Sequence, residues 1–99
     1  MQLVENIEKL SSFVKKYNEE DFYLENTIKK IIGYEKSKIK DELRKLMFDL
    51  KELEKKYERK SETFYTDFIA GQLGDKMDFI EWASLYEMYL KNKEKVELL

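Results

Sequence analysis

The sequence predicts an all-α fold. The expected architecture is a long antiparallel helical hairpin, coiled-coil-like, with a short connecting helix and one or two further N-terminal helices completing a bundle. Three observations predict it. Pro is absent and Gly occurs three times in 99 residues, so little interrupts a helix. Apolar residues recur at alternating steps of three and four. Glu and Lys fill the faces between them. Ninety-nine residues allow one domain, so 1–99 is expected to be a single helical domain. A 42% hydrophobic and 14% aromatic content gives the chain enough apolar surface to fold despite 40% charged residues.

Leu3, Ile7, Leu10, Val14 and Tyr17 form a stripe that predicts a first helix over 2–17. Asn18 to Asp21 is a polar break, with Asp21 placed to cap a second helix. Phe22, Leu24, Ile28, Ile31 and Ile32 predict that second helix, which Gly33 either ends or kinks. Residues 1–33 are thus expected to hold the N-terminal helices, packing beside the hairpin. Ile39, Leu43, Leu46, Leu50, Leu53 and Tyr57 make a strict heptad seam, which predicts a long helix over 34–60. Such a seam needs a partner, either another helix of the chain or a second copy.

Ser61 is the expected N-cap of a short helix over 61–70, which Gly71 stops. In the turn after it, Gly74 is expected to supply a positive φ or a close backbone approach. Asp75 is expected to cap the last helix, with Asp78 reaching back to that cap. The last helix, 76–97, carries two apolar stripes. One is Phe79, Ala83, Tyr86 and Leu90; the other is Trp82, Tyr86, Tyr89, Lys93 and Val96. Together they are wider than one core-facing stripe, so the helix is expected to touch two surfaces.

Composition excludes several chemistries. There is no Cys, hence no disulfide, thiol nucleophile or thiolate metal site. There is no His, which removes triads, the usual zinc sites and His-dependent ribonuclease mechanisms for this chain acting alone. Nineteen basic residues against 21 acidic ones give −2, without the basic excess of a nucleic-acid binder. The basic clusters, from Lys29–Lys30 through Lys36, Lys38, Lys40 and Arg44–Lys45 to Lys55–Lys56 and Arg59–Lys60, are interleaved with acids at ion-pair spacing. No stretch is apolar enough to span a bilayer and no secretory leader is visible, so a cytoplasmic protein is expected. The Lys/Glu bias resembles that of thermophile proteins and equally that of coiled coils.

Carboxylates are the only plentiful reactive groups. Asp75, Asp78 and Glu81 could bind Mg²⁺ or do acid–base work, but capping and the helix dipole account for the two aspartates at this position. No metal and no cofactor is therefore expected, and a carboxylate–metal enzyme is the third-ranked reading. Among the 14 aromatic residues, Phe64, Phe68, Phe79 and Trp82 are expected to clamp the short helix onto the last one. Tyr65, Tyr86, Met88 and Tyr89 are the expected contact surface, since Tyr and Met are enriched in interface cores.

Residues 50–90 carry a fixed order of features. A heptad helix leads into a Ser-initiated short helix with aromatics, then a Gly71-x-Leu73-Gly74-Asp75 turn, then Asp78-Phe79-x-Glu81-Trp82-Ala83 and Tyr86-Glu87-Met88. This resembles a family of small bacterial and archaeal helical proteins, the antitoxin-like members of toxin–antitoxin-type gene pairs. The resemblance covers about two fifths of the chain. The chain departs from it at Gln72, where the family usually has an acid, and in residues 1–33, which have no counterpart there. The resemblance implies a non-enzymatic module that binds another protein, such as a toxin encoded nearby, and blocks it by occlusion. The second reading is a homodimer that pairs through the seam Ile39 to Tyr57.

Overall fold

A computed structural model describes residues 2–17 and 21–99. Its elements are four helices: α1 (Gln2–Tyr17), α2 (Phe22–Tyr57), α3 (Ser61–Ile69) and α4 (Met77–Glu97). There is no strand among the described residues. The chain forms two compact units, Met1–Lys30 and Ile31–Leu99, and α2 contributes to both.

In the first unit α1 has the bounds its stripe predicts. Of the expected polar break, residues 18–20 lie outside the described residues. Asp21 caps α2: its Oδ1 accepts a hydrogen bond from the Leu24 amide at 2.9 Å. Gly33 does not end a helix. α2 runs through it without a positive φ, so the expected second and third helices are one of 36 residues. A glycine inside a helix costs about 1 kcal/mol relative to alanine, too little to interrupt a seam that is buried further along.

α2 ends at Tyr57, short of the expected Lys60. Glu58 takes a left-handed φ of 52°, and the Arg59 amide reaches back to the Glu54 carbonyl at 3.2 Å. This is the six-to-one bond of a Schellman ending, with a glutamate where glycine is usual. α3 ends in the same way. Gly71 has φ 75°, its amide bonds the Phe68 carbonyl, and the Gln72 amide bonds that of Asp67, both at 3.1 Å.

Three capping expectations are corrected. Ser61 is the first residue of α3 and not its cap; Lys60 holds the cap position without a side-chain bond. The free Ser61 amide is instead met at 2.8 Å by Glu54 Oε2, a carboxylate from α2. Gly74 has no positive φ, and a Cβ there would meet nothing within 4 Å, so it serves neither expected purpose. Asp75 does not cap α4. Lys76 holds that position without a side-chain bond, and Asp78 turns away from the helix start toward α2.

The second unit is the antiparallel hairpin. Tyr57 bonds Asp78 near one end, and Asn92 bonds Glu42 at 3.3 Å toward the other, which fixes the register of α4 against α2. The seam faces inward: Ile39, Leu46 and Leu50 are buried, while Leu43, Leu53 and Tyr57 are half-buried. Leu50, Phe64, Trp82 and Ala83 form the core, and Leu73 from the turn, Phe68 and Phe79 pack against it. Trp82 and Phe64 are fully buried and stack at 3.9 Å between ring centres, with planes 7° apart. Asn92, not the expected Lys93, is buried on the inner face of α4, and Leu90 is largely exposed.

Candidate functional site

The hairpin places the sequence-derived site residues in three groups. The first is a tyrosine cluster where α3 meets α4. Tyr65 and Tyr86 have ring centres 5.1 Å apart, and Tyr86 and Tyr89 lie 6.2 Å apart. All three pack against the core with part of each ring left uncovered. The Tyr65 hydroxyl donates to Glu87 Oε1 at 2.8 Å, and that bond raises the phenol above its ordinary pKa. Burial raises the Tyr86 phenol, assisted by the charges of Glu62 and Glu54. Lys93 lays its ammonium 5.6 Å from the centre of the Tyr89 ring. The cluster is therefore a rigid aromatic platform edged by Glu54, Glu62 and Glu87.

Met88 is not part of it. It stands two positions on from Tyr86, about 200° around the helix, and is exposed on the side of α4 that carries Met77 and Ile80. The width of apolar surface on α4 thus divides into an inner aromatic face and a thin outer stripe.

The second group is the carboxylates. Asp78 Oδ2 accepts from Lys56 Nζ at 2.8 Å and from the Tyr57 hydroxyl. These bonds, that from Lys56 foremost, hold the Asp78 carboxyl below its ordinary pKa. The same bond raises Lys56. Lys76 adds its ammonium 5.0 Å from the centre of the Tyr57 ring. Asp75 and Glu81 are exposed. Among the described residues no three His, Cys, Asp or Glu side chains converge on a point that could hold a metal ion. Asp78 joins two helices.

The third group is the heptad seam expected to serve self-pairing. It is taken up within one chain, because α4 and α3 lay Trp82, Ala83 and Phe64 on Leu50 and its neighbours. Several of the basic clusters are spent on ion pairs, as their spacing predicts. Lys29 pairs with Glu25, Lys38 with Glu35 and Arg44 with Asp41 along α2, and Arg59 reaches Asp67 of α3.

Sequence reasoning missed the side chains that tie elements together. Ser61 Oγ accepts the Trp82 indole N–H at 2.9 Å in the core. Nothing in the local pattern separates a serine that caps its own helix from one that serves a distant tryptophan. Asn92 had a usable signal, a polar residue three positions after Tyr89 and four before Val96 on a core stripe. No helix is long and apolar enough to cross a membrane among the described residues. Comparison with protein-family models, curated proteins and solved structures found no match to this chain.

Proposed function

We propose that this chain is a non-catalytic protein-binding module, antitoxin-like in the sense that it neutralises or regulates a partner protein by covering its working surface. The observation that carries the reading is the platform Tyr65–Tyr86–Tyr89 with its edge of Glu54, Glu62 and Glu87. Tyrosines held by a core lose little side-chain entropy on binding and offer both a flat apolar body and a hydroxyl. An acidic edge favours a partner whose groove is basic, including one that normally receives a nucleic acid, and speeds the encounter. The resemblance in residues 50–90 points the same way. Met88 leaves the proposed contact set, because it faces elsewhere.

The test is co-expression with the product of the neighbouring gene, followed by purification at a defined mass. A stable complex that Tyr89→Ala weakens about tenfold or more, with helicity unchanged, supports the reading; interface tyrosines of this kind are common hot spots. Failure to co-purify, or a complex indifferent to both Tyr89→Ala and Tyr65→Ala, overturns it. Self-pairing through Ile39 to Tyr57 has no such support, since Ile39, Leu46 and Leu50 of that seam are already buried within the chain.

A further inference from the structure

The near-zero net charge of the chain hides how the charges of α2 are sorted around the helix. Lys40, Arg44, Phe48, Lys51 and Lys55 follow one another at steps of four, four, three and four. On the helix they stand in one stripe about 22 Å long, within about 80° of its circumference. All five are exposed, Phe48 at 67%. No acid of α2 falls within that arc. Glu35, Glu42, Asp49 and Glu52 lie about 80–180° from its middle, beside Lys38 and Lys45. Asp41 and Glu54 flank the stripe, and both are engaged: Asp41 bonds Arg44, and Glu54 bonds the Ser61 amide. Lys40, Lys51 and Lys55 have no ion-pair partner among the described residues.

A line of cations fits a line of negative charge. Salt limits the reach of each charge to about 8 Å at physiological ionic strength, so a partner laid along the stripe meets its cations and little of the chain's acidic total. Three of the four cations are lysines, compact charges that suit phosphate oxygens and do not read base edges. Phe48 stands among them, four residues after Arg44 and three before Lys51. An exposed aromatic ring within a cationic track is a surface on which an unpaired base stacks. A duplex keeps its bases stacked on one another, out of reach of such a ring. An anionic membrane calls for a broad apolar face beside the lysines. Here the apolar seam of α2 faces the hairpin core, and beside the stripe only Met47 joins Phe48 as an exposed apolar side chain.

We propose that this face of α2 binds the sugar–phosphate backbone of a single-stranded nucleic acid, without regard to sequence. Lys40, Arg44, Lys51 and Lys55 contact phosphates, and Phe48 stacks on a base. The stripe uses no residue of the Tyr65–Tyr86–Tyr89 platform, so the two proposals stand or fall separately.

Fluorescence anisotropy of a labelled oligothymidylate, titrated with the full chain, tests it. The expected dissociation constant at low salt is about 100 µM or tighter, and the affinity should fall with added salt at a log–log slope of about −2 to −3. Lys40→Glu with Lys51→Glu is expected to weaken binding more than tenfold. Lys38→Glu with Lys45→Glu makes the same change of net charge on another face of α2 and is expected to weaken it less than threefold. Phe48→Ala is expected to weaken it about fivefold or more. All of these side chains are exposed, and circular dichroism of each variant should match the wild type. A chain that does not bind the oligothymidylate overturns the proposal, as does one that loses binding equally from either face or is indifferent to Phe48→Ala. So does tighter binding to a duplex, to polyglutamate or to phosphatidylserine vesicles, which would give the stripe to another kind of anion.

Discussion

The indole N–H of Trp82 donates to Ser61 Oγ at 2.9 Å, inside the core and between helices, across 21 residues of sequence. Ser61 is also the residue whose amide Glu54 meets at 2.8 Å. One serine therefore joins α2, α3 and α4. Ser61→Ala strands a buried indole donor, which costs about 1–3 kcal/mol. Urea denaturation followed by circular dichroism should show that loss. Trp82→Phe should make the Ser61→Ala step smaller, since the stranded donor is then gone, and a double-mutant cycle measures the difference.

Trp82→Ala removes the largest side chain of the core, one that stacks on Phe64 and Tyr57. Large-to-small changes of this kind cost about 3–5 kcal/mol. A unit the size of Ile31–Leu99 has a total stability of about 3–10 kcal/mol. Circular dichroism of Trp82→Ala should show the hairpin unfolded or close to its midpoint at about 37 °C. Tyr89→Ala, at the edge of the same cluster, should leave the helical signal intact.

Asp78 gives the hairpin a pH dependence of known sign. Lys56 and Tyr57 hold its carboxyl below the ordinary value of 3.8, so in acid the unfolded chain binds its proton more readily than the folded one. The contribution is complete above the ordinary Asp value and is lost as pH falls below it through the lowered one. Asp78→Asn should therefore remove part of the acid destabilisation below about pH 4 and lower stability at neutral pH. Urea midpoints for both chains, measured from acid to neutral pH, decide it. An identical slope below about pH 4 would mean that Asp78 is solvated and unpaired.

Backbone conformation predicts opposite outcomes for similar substitutions. Gly33 lies in the interior of α2, where a Cβ would meet nothing within 4 Å, so Gly33→Ala should stabilise by about 0.5–1 kcal/mol. Gly71 has φ 75°, and Gly71→Ala should destabilise by about 1–2 kcal/mol. Glu58, with φ 52° at the end of α2, should gain about 1 kcal/mol from Glu58→Gly. Thermal melts of the three variants should order accordingly.

The sequence by itself determined that the chain is helical and which face of each helix is apolar. A stripe such as Leu3 to Tyr17 or Ile39 to Tyr57 is a local property, set by the pitch of the backbone and the side chains along it. Gly71 was legible as a helix stop, because an end that needs a positive φ selects glycine. The tyrosine cluster was legible in part: Tyr65, Tyr86 and Tyr89 meet, while Met88 parts from them by its angular position on α4.

Tertiary structure alone decided which polar side chains bond across the hairpin. Ser61, Asp75 and Asp78 all occupy positions where a local cap is plausible, and none makes one. Ser61 serves Trp82, Asp78 serves Lys56 and Tyr57, and Glu54 performs the capping expected of Ser61. A buried indole donor left without a partner costs more than an exposed helix-end amide, which water can satisfy. The bonds across the hairpin therefore take precedence over the local ones, and no window of sequence records that competition. The same reason explains Gly33: its local signal for a break is worth about 1 kcal/mol, and it yields to burial of the seam further along the same helix.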